Sequence, residues 1–571
     1  MSDAFFSVAF GDCTPGKGRS TSVVSLGEGR AFGHLDQMMS SFRRLRWGGR
    51  PKRPCAHVRV NVHSLPAELL QNVFERLPDV ENLMAVTAVT QFFREAAINH
   101  PKLWTSPDLS LPSLLPLFLE RSRNAPLTFR VWEQATLVNH ISTLFDTIKC
   151  HMVRTRYLEI IVTNQNMQLL NLLHIPTSTM ESITLKCPEF GTIASDTLEY
   201  AHHCPLSFHG FPEDMFTRSS FPSLRRVDIR MPLRRSDILS LGRLISNITH
   251  LTLGFCHTCD NTDSSHVSLA EFLELLGQTL CLEALCLGSC IPGGASDDCP
   301  PRLVMRSLRQ VELHDEASNL MAFIQHLSLP SLVTASLRTQ SNLSDYFNND
   351  AEASKFPLLF QEISQLFPYP IFHMHIKVEM MLRGGRRRYG AAIHGMAMAK
   401  HATPMDPELL VSSSWSSYQS LLLEDLVNTS IIHLDLCCLR SLKLESTEYT
   451  VCGYNAIPED MRMSGVVEIH VIGSFAFTVL KDLVEEDEGC RPFPLLERLC
   501  IERVDLLGTG CWYLLPIALE TRSRLKLPLK EVILTSCTGV QDSRIKELQA
   551  SLEDCVLITV VDGDGQTLLS S

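Results

Sequence analysis

ITHLTLGFC (residues 248–256), LEALCLGSC (282–290) and LKEVILTSC (529–537) are one phrase written three times. The first carries Ile248, Leu251, Leu253 and Cys256; the second Leu282, Leu285, Leu287 and Cys290; the third Leu529, Val532, Leu534 and Cys537. The central apolar pair, two residues apart, has the period of a β-strand, in which alternate side chains share a face. The terminal cysteine stands where the chain must leave the strand, and it is expected to cap that turn. Looser copies centre on Ile183 and Leu185, Val227 and Ile229, Val311 and Leu313, Leu442 and Leu444, Ile469 and Val471, and Leu499 and Ile501.

This phrase resembles the leucine-rich repeat, in which one short parallel strand per repeat lines the inner curve of a horseshoe. The resemblance implies an α/β repeat fold, an irregular solenoid with the strand leucines facing inward. Spacings are uneven: 24 residues from Val227 to Leu251, 34 from Leu251 to Leu285, 26 from Leu285 to Val311, and 33 from Leu499 to Val532. Several exceed the usual repeat of about 20–29 residues, so helices and insertions are expected on the outer side. Ser268 to Leu280 is such a helix, with Leu269, Phe272, Leu273 and Leu276 on one face. An all-helical repeat is disfavoured because each phrase is short and β-like. Several are introduced by an apolar residue and proline: Phe221-Pro222, Leu329-Pro330 and Phe493-Pro494.

Between Arg338 and Ile431 the phrase fades. His373 to Met380 reads as one more strand, and RGGRRRYG (Arg383 to Gly390) as a solvated loop within an insertion at about 380–430. Glu485 to Glu488 reads as an acidic loop.

Upstream, residues 1–57 lack a sustained period and are rich in Gly, Ser and Arg, the composition of a disordered arm. Residues 1–60 carry a net +6, concentrated between Phe42 and Cys55, against −12 for the whole chain. From Ser64 the pattern becomes helical. Pro66 and Glu68 suit a first turn; Leu69, Leu70, Val73, Phe74 and Leu77 line one face, and Pro78-Asp79 ends the helix. Leu83, Val86 and Val89 mark a second helix, Phe92, Phe93 and Ala97 a third, and Leu103-Trp104 an apolar anchor.

The run LPAELLQNVFERLPDVENLMAVTAVTQFFREAAINHPKLW (Leu65 to Trp104) resembles the F-box motif in its opening Leu-Pro-x-Glu, its apolar spacing and its closing Leu-Trp. Two positions depart: Thr90 stands where the family has Cys and Phe93 where it has Trp, with Arg94 retained. The proline-punctuated repeats and this variant motif are similar to the expanded F-box families of mushroom-forming fungi. The expected organisation is an arm (1–57), an F-box (58–110) and a leucine-rich-repeat-like domain (111–571).

The resemblance implies a non-catalytic substrate-recognition subunit of a Skp–cullin–F-box ubiquitin ligase. It implies docking on a Skp-type adaptor, and through it a cullin, by Leu65, Pro66, Leu69, Leu70, Val73, Phe74, Leu77, Val86, Val89, Phe93 and Trp104. A protein substrate would meet residues beside the core leucines, for which His250, Thr252, Glu283, Glu312, Lys443 and Arg498 are the candidates. The alternatives are a non-degradative interaction scaffold and, from another class, a repeat-bearing enzyme.

Composition bears on the other classes. Apolar residues make up 45% and charged residues 20% of 571, an ordinary globular balance. The acidic total argues against a general nucleic-acid binder. No apolar run reaches the length of a membrane span, and Asp3 with no basic flank makes a poor signal peptide. The 19 cysteines therefore read as reduced thiols of a cytoplasmic or nuclear protein. Cys256-His257-Thr258-Cys259, with His266 nearby, is half of a zinc pattern without its second pair. Cys437 and Cys438 are adjacent and are expected to point apart. No nucleotide-binding or hydrolase motif occurs, so neither a cofactor, a metal nor a catalytic residue is expected.

Overall fold

The computed structural model describes residues 65–109, 111–131, 141–187, 221–254, 267–292, 301–340, 355–397, 408–415, 434–446, 464–484, 493–551 and 556–570, apart from short gaps within those spans. The basic arm, the 256–266 Cys/His pattern and the acidic run at 485–488 lie outside the described residues. The chain divides into two compact units, Met1–Leu103 and Trp104–Ser571.

Among the described residues the first unit holds three α-helices: α1 (Ala67–Phe74), α2 (Val80–Val89) and α3 (Gln91–Ile98). Pro66 occupies the N-cap of α1 and Glu68 its first turn, where the helix dipole favours an acid. The Thr90 side chain caps α3 by accepting the Phe93 N–H at 3.1 Å. Leu70, Phe74, Leu83, Val86, Ala96 and Ala97 are buried. The Gln71 amide donates to the Ala96 carbonyl across 3.3 Å, and the Arg94 Nε donates to the Thr87 carbonyl at 3.0 Å.

Among the described residues the second unit is built on one sheet of 17 strands, with a separate two-stranded sheet. After α4 (Leu115–Arg121) come β1 (Leu127–Val131), α5 (Ile141–His151), β2 (Thr155–Ile161), β3 (Ser182–Lys186), β4 (Arg226–Arg230), β5 (His250–Gly254), α6 (Leu269–Gly277) and β6 (Ala284–Gly288). β8 (Gln310–Asp315), α7 (Ala317–Gln325) and β10 (Thr334–Gln340) follow, with β7 (Leu303–Val304) and β9 (Leu327–Ser328) pairing outside the main sheet. The C-terminal part holds α8 (Lys355–Leu366), β11 (Ile371–Arg383), β12 (Arg386–Ala397), β13 (Glu408–Trp415), β14 (Ser441–Ser446), β15 (Glu468–Ile472) and α9 (Phe475–Val484). It ends with β16 (Arg498–Glu502), α10 (Cys511–Arg524), β17 (Glu531–Thr535), α11 (Asp542–Ser551), β18 (Leu557–Val561) and β19 (Thr567–Ser570).

All nine strand pairs read from the sequence lie on parallel strands in one register. Ile183, Val227, Leu251, Leu285, Val311 and Ala335 stack as successive partners, and Leu185, Ile229, Leu253, Leu287, Leu313 and Leu337 form a second row. Beyond the middle of the sheet, Leu442, Ile469, Leu499, Val532 and Ile558 continue the first row, and Leu444, Val471, Ile501, Leu534 and Val560 the second. Both rows are buried. A buried leucine or isoleucine contributes roughly 1.5–3 kcal/mol relative to exposure, so register is held wherever the phrase recurs.

The middle of the sheet corrects the expected loop. β11 and β12 pair antiparallel along their length, with Arg383 opposite Arg386, so Arg383 and residues 386–390 are strand rather than loop. β12 pairs antiparallel with β13, which lies parallel to β10, while β11 lies parallel to β14. Residues 371–415 thus carry the ladder from one parallel block to the next.

Among the described residues, four repeats enter their strands by one kind of turn and four leave by another. Leu224, Leu332, Leu439 and Leu496 donate their N–H groups to the carbonyls of Phe221, Leu329, Leu436 and Phe493 at 3.0–3.2 Å, closing four-residue turns. Pro222, Pro330 and Pro494 occupy the second turn position, whose φ proline presets; this is why apolar-Pro pairs introduce the phrases. On exit, Ser289, Gly473, Arg503 and Ser536 take positive φ between 52 and 76° at equivalent positions. The next residue is the phrase's terminal position. The Cys290 thiol donates to the Leu253 carbonyl at 3.5 Å and the Cys537 thiol to the Ile501 carbonyl at 3.4 Å.

Candidate functional site

Two surfaces are candidates: the exposed part of the three helices and the outward rows of the sheet. On the helices, burial sorts the eleven expected docking residues. Leu70, Phe74 and Val86 are at most 4% exposed and hold the helices together. Phe93 is half-buried, its ring edge-on to Phe74 with centroids 5.7 Å apart. Leu65, Val73 and Leu77 are also half-buried, whereas Pro66, Leu69 and Val89 are exposed. Leu69 and Val89 show 51% and 52% of their surface, a large display for two aliphatic side chains.

Trp104 needs a correction. Its ring is fully buried in the second unit, against Phe118 at 5.1 Å and beneath the Arg121 guanidinium at 4.4 Å from the ring centroid. It is a core anchor and presents no surface to a partner. The same physical reason removes Leu70, Phe74 and Val86 from the contact set: a side chain already enclosed has no area left to bury.

Residues 62–110 match the F-box-like family. No curated protein matches the chain. Within the F-box-like domain, both departures from the motif have a local account. Thr90 supplies a hydroxyl oxygen to the start of α3, and Phe93 fills its place as an aromatic ring against Phe74. Glu75, just past α1, accepts from His100 at 2.7 Å and from Lys102 at 3.1 Å. Those hydrogen bonds hold its carboxyl below the usual range.

On the sheet, the outward side chains lie in rows parallel to the core rows. Thr252 sits between Asp228 and Cys286, with Glu312 beyond Cys286. Lys443 sits between His375 and His470, with Cys500 beyond. His250 and Arg498 occupy a neighbouring outward row. Glu283 does not join them. It precedes β6 on the entry row, where its N–H bonds the Thr249 carbonyl and its own carbonyl accepts from Arg309 and Gln310. The remaining five fall into two groups, β5 to β8 and β14 to β16, five strand steps or roughly 24 Å apart at ~4.8 Å per strand.

The β14 to β16 group lies among ion pairs that link strands distant in sequence, which the sequence reading missed, and a separate set joins β1 to β3. Glu159 lies 3.6 Å from Arg130 and 3.1 Å from Lys186. Glu445 pairs with His375 at 3.2 Å, Arg503 at 3.6 Å and Lys443 at 3.7 Å. Glu502 pairs with His470 at 2.9 Å and Arg503 at 3.1 Å. Arg498 lies between Glu531 at 2.8 Å and Glu468 at 3.5 Å, and the hydrogen bond it donates to Glu531 raises its pKa further. His250 has its pKa lowered by burial and by Arg226.

These rows suit recognition. Burial pushes the Cys286 thiol up to about 12 and the Cys500 thiol up to about 11, so neither offers the thiolate that nucleophilic chemistry requires. Among the described residues no three His, Cys, Asp or Glu side chains converge as a metal site, and no helix is long and apolar enough to cross a membrane.

Proposed function

We propose that the chain is the substrate-recognition subunit of a Skp–cullin–F-box ubiquitin ligase. The reading rests on the F-box-like match over residues 62–110. Docking on the Skp-type adaptor falls to exposed Pro66, Leu69 and Val89, with half-buried Leu65, Val73, Leu77 and Phe93 at the margin. Each large apolar side chain covered there contributes roughly 1.5–3 kcal/mol before ordering costs. The repeat array, which we assign to the leucine-rich-repeat class and to an F-box family of fungal type, carries the protein substrate on its outward rows. His250, Thr252, Glu312, Lys443 and Arg498 are the proposed contacts. Ubiquitin transfer is then performed by other subunits, and this chain raises the local concentration of the target's lysines.

The test is co-purification of the full chain with a Skp-type adaptor, beside Leu69→Glu/Val89→Glu. Both positions are half-exposed, so the variant keeps the helix core. Binding that the variant loses supports the reading. Absence of binding by the unaltered chain overturns it in favour of a scaffold without an adaptor.

A further inference from the structure

Cys437 and Cys438 do not point apart. Their sulfurs approach to 3.6 Å, and the reason lies in the repeat. The pair occupies the two central positions of the strand-entry turn closed by Leu439 N–H to the Leu436 carbonyl at 3.0 Å. Equivalent turns hold Pro222-Ser223, Pro330-Ser331 and Pro494-Leu495 in those positions. The turn is anchored by fully buried Leu439 and partly buried Leu436. Gly465 packs so closely that a Cβ there would stand 2.9 Å from the Leu439 carbonyl oxygen and 3.6 Å from that of Cys437. Cys437 is exposed and Cys438 half-buried, so a reagent can reach both.

Adjacent Cα atoms are about 3.8 Å apart, below the roughly 4.4–6.8 Å that an unstrained disulfide spans. A direct S–S bond is therefore disfavoured here, whereas an atom inserted between the sulfurs joins them without drawing them together. We infer that the Cys437–Cys438 turn is a dithiol chelation site for a trivalent thiophilic centre of the arsenical type. Loading by an organoarsenic oxide breaks two S–H bonds and the arsenic–oxygen bond and forms two arsenic–sulfur bonds. The two protons leave with the oxygen as one water, and arsenic stays trivalent, so no oxidant or reductant takes part.

The experiment treats the reduced full chain with phenylarsine oxide, washes it with excess mercaptoethanol, and maps the retained arsenical by peptide mass spectrometry. A single thiol, such as exposed Cys150 or Cys281, exchanges its arsenical into the monothiol wash; a chelating pair retains it. The expected result is one arsenical on the peptide bearing residues 437 and 438, released by dimercaptopropanol. It is lost in Cys437→Ser, in Cys438→Ser and in Cys437→Pro/Cys438→Ser. The last variant rebuilds the turn found at Pro222-Ser223 and so keeps the fold. No retention on that peptide, or retention undiminished in the single variants, overturns the inference.

Discussion

The Thr90 hydroxyl oxygen accepts the Phe93 backbone N–H at 3.1 Å, so the two residues that depart from the F-box pattern are partners at one helix start. A threonine cap is worth about 1 kcal/mol, within a range of roughly 0.5–2. Thr90→Ala is expected to raise the amide exchange rates of α3 by roughly fivefold, and Thr90→Ser to restore them. Hydrogen exchange on the full chain reads this locally; equal rates in all three proteins would remove the cap from the account.

The Glu75 cluster makes the same unit acid-sensitive. Its carboxyl is held below the ordinary value by hydrogen bonds from His100 and Lys102. A depressed folded-state pKa stabilises above the unfolded value near 4.5, and that contribution is lost as pH falls through the depressed one. The pair is largely solvated, so the effect is small. The protection of α1 amides, with the intrinsic exchange rate at each pH divided out, should fall on acidification below that range, and Glu75→Gln should flatten the dependence.

Opposite faces of one ladder predict opposite outcomes. Leu285 is 1% exposed in a core row, and Leu285→Ala is expected to cost about 2–5 kcal/mol. Thr252, on the adjacent strand but facing outward, should change stability by no more than about 0.5 kcal/mol when replaced by Ala. Chemical denaturation separates them, and a reversed order would contradict the register.

The exit turns give a third contrast. Gly473 has φ +76°, and a Cβ there would lie 2.0 Å from the Ser446 carbonyl oxygen. Gly473→Ala is expected to destabilise by at least about 1–2 kcal/mol from the left-handed backbone alone, with the clash adding to it. Ser536→Gly removes a strained side chain at the equivalent turn, φ 52°, and should be neutral or stabilising in a thermal melt.

Loss of substrate capture checks the outward rows. Combined Ala replacement of Thr252, Glu312, Lys443 and Arg498 should leave the melting profile near that of the unaltered chain and abolish co-purification of the captured protein; retained capture moves the site elsewhere.

Sequence alone determined the nine strands that carry the phrase or a looser copy of it, because a period of two is local and survives reading without neighbours. It missed β1, β2 and β18, whose core positions (Phe129 and Val131, Leu158 and Ile160, Ile558 and Val560) are large and apolar but have Pro126, Thr155 and Cys555 where the phrase has its leading large apolar residue. It also missed β10, where Ala335 replaces the expected leucine, and β12 and β13, whose pairing joins segments far apart in the chain. It placed Leu69, Leu70, Val73 and Phe74 on one helical stripe, but a stripe is wider than the core it faces. Only packing decided that Leu70 and Phe74 are enclosed while Leu69 stays exposed, and that Trp104 is buried altogether. The approach of Cys437 to Cys438 and the pairing of Glu445 with His375, Lys443 and Arg503 were likewise decided in three dimensions. Periodicity reports which face a residue belongs to; burial, register and charge contacts depend on what the rest of the chain brings to that face.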